Sequence, residues 1–136
     1  MVSQSSIYLG ELRCKATHSP SGVELITDAP TDNQGRGESF SPTDLVVTAL
    51  ATCEVTTMGI VARRDSVDLD GTRVYAEKHM SIDGPRRIAR IVVKIEFPKG
   101  ISHDYRPKLE HTARTCPVAK SLHTDVALDV TFSYPD

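Results

Sequence analysis

The sequence lacks several features that would point directly to a function. It carries 16 Lys and Arg against 18 Asp and Glu, so no basic surface is rich enough to drive binding to nucleic acid or to an anionic membrane. No uninterrupted apolar run approaches the roughly 20 residues that cross a bilayer, and the N-terminus lacks the basic and apolar regions of a signal peptide. We therefore expect a cytoplasmic protein with no nucleic-acid partner and no membrane partner.

Cysteine is also scarce, with three residues at wide spacing. This count excludes the dense disulfide framework of a small secreted domain, so Cys14, Cys53 and Cys116 should be free or redox-active. Cys-x-x-Cys and His-Glu-x-x-His pairs, a Gly-x-Ser-x-Gly elbow and phosphate-loop or dinucleotide fingerprints are all absent. With no Trp, 39% hydrophobic and 25% charged residues, the composition is typical of a single globular domain over residues 1–136.

The hydrophobic pattern predicts strands at both ends of the chain and helices between them. Alternation favours strands in the N-terminal third, around residues 8–16 and 23–27, followed by a loop at 28–39 that is rich in turn-forming residues. Later strands are predicted at 72–82, 87–97 and 126–134, with helices at 105–115 and from 117 onward.

The strongest predicted element is a helix over Pro42–Arg64. Ser41 can cap it, Pro42 suits its first turn, and Asp44 favours the positive end of the helix dipole. Between Asp44 and Arg63 the only charged residue is Glu54. A helix that is apolar nearly all round is expected to be buried.

The cysteines differ in their predicted surroundings. Cys53 lies in the middle of the apolar helix, where a buried core cysteine is the simplest interpretation. Cys116 precedes Pro117 at a predicted helix start, with Lys120 one turn further on, and helix N-termini and cations lower a thiol pKa. Structural and functional roles therefore both stay open for Cys116. Cys14, on an apolar strand face, is predicted to be a core residue.

Two cations fall on strand faces that are otherwise apolar. Arg87 is predicted to begin the inward face of its strand, and Lys78 interrupts the inward face of the neighbouring strand. Each could extend outward to solvent, form an ion pair or belong to an anionic or thiolate-stabilising site. Glu54 points about 100° away from Cys53 on the helix, so we interpret it as a structural partner rather than a proton donor to that thiol.

The order of elements and two segments resemble the OsmC/organic hydroperoxide resistance superfamily. The segment Phe40-Ser-Pro-Thr-Asp-Leu-Val-Val-Thr-Ala-Leu-Ala-Thr-Cys53 is similar to that family's helix, which opens with Pro-x-(Glu/Asp)-Leu and ends in Ala-x-Cys. The segment Cys116-Pro-Val-Ala-Lys-Ser-Leu122 is similar to its second Cys-Pro motif, and Pro85-Arg-Arg87 resembles the strand start of the general OsmC-like branch.

The resemblance implies an α+β fold in which a long buried central helix packs on a curved antiparallel sheet, and an intertwined homodimer. It also implies a thiol-dependent peroxidase for small organic hydroperoxides that uses an external dithiol reductant and no metal, haem or flavin. Cys53 would be the peroxidatic cysteine that forms a sulfenic acid, and Cys116 the resolving cysteine that closes a disulfide. The predicted helix N-terminus and Lys120 instead favour Cys116 as the more reactive thiol.

The sequence departs from the hydroperoxide reductase branch at the supporting residues. That branch has Glu directly after the helix-opening Pro, where this chain has Thr43, with Asp44 next. Its thiolate-stabilising arginine could correspond to Arg13 or Arg36, and we count Asp44, Glu54 and Arg87 as further supporting candidates. The alternatives are a non-enzymatic stress or small-molecule binding protein with an incomplete peroxidase site, and a purely structural dimer.

Overall fold

The computed structural model describes residues 1–136, which form two units along the chain, Met1–Val46 and Val47–Asp136. Each unit contains one three-stranded sheet. The first sheet has the order β1-β2-β3 and the second β4-β5-β6. The elements in chain order are β1 (Gln4–Gly10), β2 (Arg13–His18), β3 (Glu24–Asp28), α1 (Pro42–Arg64), β4 (Arg73–Met80), β5 (Ile88–Glu96), α2 (Arg106–Arg114), α3 (Pro117–Ser121) and β6 (Ala127–Ser133). The predicted α+β class is confirmed.

The first sheet is an antiparallel meander. The N-terminal alternating stretch turns at Glu11 and Leu12, which have φ angles of 54° and 61°, so β1 and β2 form a hairpin. Tyr8 of β1 pairs with Cys14 of β2. Cys14 is only half-buried and does not belong to the hydrophobic core. The prediction that it is a core residue is therefore wrong, because its cross-strand neighbour Tyr8 is itself exposed.

The predicted loop between β3 and α1 contains one short 3₁₀ turn, Thr31–Asn33. Its two ends are joined by the Asp28 amide, which donates to the Phe40 carbonyl at 3.0 Å. Within the loop, Gly35 passes so close to Ala29 that an added Cβ would lie 1.7 Å from the Ala29 carbonyl oxygen. Only glycine fits at that crossing.

Helix α1 begins and ends where the sequence predicts. The Ser41 hydroxyl accepts from the Asp44 amide at 3.1 Å, and the Asp44 carboxylate accepts from the Ser41 amide at 2.9 Å, a reciprocal cap of the first turn. The expected burial all round is wrong, because only one stripe is buried, running from Val47 to Ala62, while Ile60 on another face is 50% exposed. By length and composition alone α1 could cross a membrane, a test that the core helix of a globular protein also passes.

The second sheet is mixed rather than antiparallel. β4 pairs antiparallel with β5, whereas β6 pairs parallel with β5. Parallel neighbours need a crossover connection, and α2 and α3 supply it between β5 and β6. The core of this unit joins α1, β5 and α2 through fully buried side chains: Leu50, Met58, Ile91, Val93, Ile95, Leu109 and Ala113.

Candidate functional site

Cys53 lies on α1 with its side chain packed against the core of the second unit. It is partly exposed, and its sulfur lies 3.8 Å from the Thr57 hydroxyl oxygen, one helical turn further on. This spacing follows from the i, i+4 geometry of an α-helix. Cys53 is therefore a thiol with a polar neighbour and partial access to solvent, rather than a fully enclosed core residue.

Cys116 is fully buried and occupies the N-cap of α3. Its sulfur accepts a hydrogen bond from the Ala119 amide at 3.4 Å. Pro117 takes the first helical position, where the missing amide hydrogen is not needed. The predicted helix start at this residue is confirmed.

The two thiols lie side by side, and both are reduced. Burial raises the pKa of the Cys116 thiol, and the neighbouring Cys53 raises it further, whereas the Ala119 hydrogen bond acts in the opposite direction. The expectation that the helix start makes Cys116 the more acidic thiol is therefore wrong, since the loss of water around the sulfur outweighs one amide donor.

Glu54 is fully buried beside these thiols, and neither of its carboxyl oxygens has a hydrogen-bond partner. Burial raises the pKa of Glu54 to about 7, and the Arg114 guanidinium opposes that rise. The negative charge of Glu54 also acts on Cys116 and raises its pKa. Burial of Glu54 agrees with the sequence prediction, but the structural partner expected for it is absent.

A cavity of about 620 Å³ opens next to Glu54. Ala119, which binds the Cys116 sulfur, lines the same cavity. The other lining residues come from β5, β6 and the end of α2: Arg90, Val92, Arg114, Leu128, Asp129, Val130 and Thr131. Arg114 and Arg90 are not predicted from the sequence, although the position of Arg114 two residues before Cys116 is a signal that could have found it.

Arg87 is exposed and does not begin an inward face as predicted. Its guanidinium donates to the carbonyl oxygens of Ile88 and Asp125 at 3.2 and 3.4 Å. The register between β4 and β5 shifts between His79 and Met80, and such an irregularity changes which side chains share a face. Arg87 therefore extends to solvent at the strand end, whereas Lys78 is half-buried.

The remaining predicted supporting residues lie in the first unit. Arg13 donates to the buried carboxylate of Asp28 at 3.3 Å and also to Glu38. The Glu38 amide, as the main cause, and the Arg13 guanidinium lower the pKa of Asp28. On the surface, the Arg36 guanidinium nitrogen Nη2 lies 3.9 Å from the Glu11 carboxylate oxygen Oε2. The third candidate, Asp44, caps α1.

No three His, Cys, Asp or Glu side chains converge in a way that could hold a metal ion. The side chains that meet in the second unit are two thiols and one carboxyl. This set suits redox and proton-transfer chemistry of sulfur, in which a thiolate attacks and a neighbouring acid or base moves the proton.

Residues 35–131 match the family model described as OsmC-like protein. The chain therefore belongs to the OsmC-like family, and the resemblance stated from its two cysteine segments is confirmed. A search of curated proteins found no match.

Among solved structures, this chain is similar to a proposed osmotic stress induced and detoxification response protein from Psychrobacter arcticus 273-4. The identity is 44%, with 98% of this chain and 96% of that chain covered and a TM-score of 0.92. An organic hydroperoxide resistance protein OsmC from Legionella pneumophila is 15% identical over 98% and 96% of the two chains, with a TM-score of 0.78. The organic hydroperoxide resistance protein OhrB of Bacillus subtilis is 15% identical over 98% of each chain, with a TM-score of 0.72. The last two show the shared fold alone.

Proposed function

We propose that this protein is a cysteine-based reductase of organic hydroperoxides, with Cys53 as the peroxidatic and Cys116 as the resolving cysteine. The observation that carries the proposal is the contact between a partly exposed thiol and a fully buried thiol. Family membership and the hydroperoxide resistance proteins that share the fold support the same chemistry.

The reaction would run in three steps. The Cys53 thiolate attacks the hydroperoxide, a sulfur–oxygen bond forms, the oxygen–oxygen bond breaks, and the alkoxide takes a proton and leaves as an alcohol. The Cys53 sulfenic acid then condenses with the Cys116 thiol to a disulfide and water. An external dithiol reduces this disulfide by exchange, so its two sulfurs supply the electrons. A cytoplasmic location would provide such a reductant.

The difference in exposure between the two cysteines supports this assignment of roles. A peroxide must reach the attacking sulfur, and the Cys116 side chain has no exposed surface. Its raised pKa also keeps Cys116 as a thiol, and the thiol is a far weaker nucleophile than the thiolate. A buried cysteine in contact with Cys53 is better suited to capture a sulfenic acid that forms next to it.

The test is to treat the Cys14→Ser protein with one equivalent of cumene hydroperoxide. Peptide mapping without reductant should then reveal a Cys53–Cys116 crosslink and one equivalent of alcohol. Cys53→Ser should abolish peroxide consumption, whereas Cys116→Ser should consume one equivalent and leave a sulfenic acid that a dione reagent traps. Free thiols and unconsumed peroxide would contradict the proposal.

A non-enzymatic binding protein stays as the second candidate because of Arg13. Its guanidinium is shared between two carboxylates, Asp28 and Glu38, so its charge is offset where a thiolate-stabilising arginine should be available. Thr43 in place of the family's acid points the same way. In this case peroxide should persist, and the Cys53 thiol should show no enhanced reactivity toward iodoacetamide.

We also propose that the protein is a homodimer. Large apolar side chains are exposed on both faces of the first sheet, since Ile7 and Tyr8 are neighbours on one strand and point to opposite sides. Large exposed apolar side chains on one small sheet are typical of protein–protein interfaces. The exposed set in this unit includes Ile7, Tyr8, Leu9, Leu12, Val23, Leu25 and Ile26. Sedimentation equilibrium should give twice the 14.9 kDa chain mass, and Ile7→Lys should shift the population toward monomer.

A further inference from the structure

The carboxyl of Glu54 is a structural anomaly. Both oxygens are buried and neither has a hydrogen-bond partner within the protein. The large majority of buried side-chain polar atoms in folded proteins are paired, so an unpaired buried carboxyl needs an explanation. Because no side chain or backbone group of the protein binds these oxygens, they are available to a neighbouring proton donor.

The charged groups around Glu54 are already engaged with other partners. On β5 and β6, the Arg90 guanidinium donates to the Asp129 carboxylate. On α2, the Arg114 guanidinium lies 3.7 Å from Glu110 and 4.8 Å from the Phe132 ring centre. Arg114 still acts on Glu54 through its charge, but it forms no bond to it.

Cys116 is the neighbouring group that has a proton to exchange. Glu54 and Ala119 line the same cavity, and the Ala119 amide binds the Cys116 sulfur. The charge of Glu54 acts directly on the Cys116 thiol. Glu54 and Cys116, both fully buried, and the partly exposed Cys53 therefore form one cluster beside a cavity that can admit water.

We propose that Glu54 is the proton acceptor for Cys116 when Cys116 attacks an oxidised Cys53, either directly or through one water molecule. Where the oxidant of Cys53 is an organic hydroperoxide, this step rests on the proposed function. The Cys116 proton moves to a Glu54 oxygen, and the sulfur lone pair forms the disulfide bond with Cys53. The sulfur–oxygen bond of the sulfenic acid breaks, the leaving hydroxide takes the proton from Glu54, and water departs. Glu54 ends the step unchanged.

The electrostatics favour a shared proton over two separate ionisations. An ionised Glu54 raises the pKa of Cys116, so two adjacent negative charges are disfavoured. Moving the proton from Cys116 to Glu54 keeps a single negative charge throughout. The pKa of Glu54, about 7, makes both protonation states accessible at neutral pH, as a general base requires.

The closing experiment uses a reaction that needs no peroxide. In Cys14→Ser protein, 5,5′-dithiobis(2-nitrobenzoate) should first modify the partly exposed Cys53 and release one thionitrobenzoate. Cys116 should then displace the second by intramolecular attack, in a phase independent of reagent concentration. Cys53→Ser and Cys116→Ser assign the two phases, because the first variant should lack both and the second should keep only the first phase.

Glu54→Gln should slow the second phase at least about tenfold and leave the first unchanged. Its pH profile should also change. The unsubstituted rate should level off above about pH 7, whereas the Gln variant should keep rising about tenfold per pH unit as solvent ionises the thiol. Glu54→Asp should restore the levelling in part, and Glu96→Gln, at an exposed acid on β5, should match the unsubstituted protein.

A purely electrostatic role predicts the opposite sign, since removing the Glu54 charge would make Cys116 more acidic and speed its attack. A faster or unchanged second phase in Glu54→Gln would therefore overturn the inference. Failure of the unsubstituted protein to form the Cys53–Cys116 disulfide would overturn it as well. The Cys53–Cys116 disulfide could form with 5,5′-dithiobis(2-nitrobenzoate) while cumene hydroperoxide leaves Cys53 unoxidised. In that case the proposed function fails and the role of Glu54 stands.

Discussion

Glu54→Gln should change how the stability of the protein depends on pH. Burial raises the pKa of this carboxyl from 4.5 to about 7 in the folded protein. The unfolded chain, with its ordinary carboxyl, releases the proton at lower pH. Between these two values the folded state binds more protons than the unfolded state, so the contribution of Glu54 to stability decreases as the pH rises.

The magnitude follows from the two pKa values. A rise from 4.5 to about 7 corresponds to at most about 3 kcal/mol of differential interaction between the protonated and ionised forms. This contribution is fully present below the unfolded pKa and is lost as the pH passes the folded pKa. A glutamine does not ionise, so the Gln variant should gain stability relative to the unsubstituted protein by up to about 3 kcal/mol between about pH 4 and about pH 8.

The assay is urea unfolding of both proteins at matched pH values, with the cysteines kept reduced. The difference between the two free energies of unfolding cancels the titration of all other groups. Glu96→Gln, at an exposed position, is the control and should show a difference that is nearly independent of pH. If the difference in free energy of unfolding between Glu54→Gln and the unsubstituted protein is also independent of pH, the reasoning is refuted. Such a result would mean that Glu54 ionises in the folded protein without an energetic penalty.

Three further substitutions test the packing and capping that position the site. Leu50→Ala, in the fully buried stripe of α1, should cost about 2–5 kcal/mol in urea unfolding, whereas Ile60→Ala, at a half-exposed position of the same helix, should cost much less. Ser41→Ala removes the hydroxyl that accepts from the Asp44 amide and should cost about 1 kcal/mol, with Ser3→Ala as a control at an exposed site. Tyr105 donates to Asp65 at 2.7 Å, and burial, reinforced by this bond, raises its pKa to about 12. Burial also raises the pKa of Tyr134, so ultraviolet titration should show two late tyrosine ionisations, of which one is lost in Tyr105→Phe.

The helices and their positions could be predicted because their signals are local. Ser41, Pro42 and Asp44 define the start of α1 by chemistry confined to one turn. Pro117 defines the start of α3 in the same way. The two cysteine segments that resemble the family lie on these helices. The same local signals therefore predict both the helices and the family.

The errors share a cause, which is that burial depends on contacts distant in sequence. The nearby helix start predicts a lowered pKa for the Cys116 thiol. The largest effect on that pKa is instead desolvation by the surrounding core, which raises it. Simple alternation predicts that Arg87 points inward, but the irregular pairing of His79 and Met80 with β5 breaks that alternation. The parallel pairing of β6 is equally invisible in a local pattern, because an alternating strand has the same sequence signature in either direction.

The arrangement of Cys53, Cys116 and Glu54 fits the resolving role that we propose for the buried cysteine, Cys116. A resolving thiol must stay protonated until its partner is oxidised, because an early thiolate would compete for peroxide or for other oxidants. Full burial of Cys116 and the adjacent Glu54 both keep it protonated. The same two features would make its attack slow unless a base were available at the moment of reaction. An unpaired carboxyl within the cluster meets both requirements, since its charge disfavours the thiolate at rest and its oxygens can take the proton when the disulfide forms.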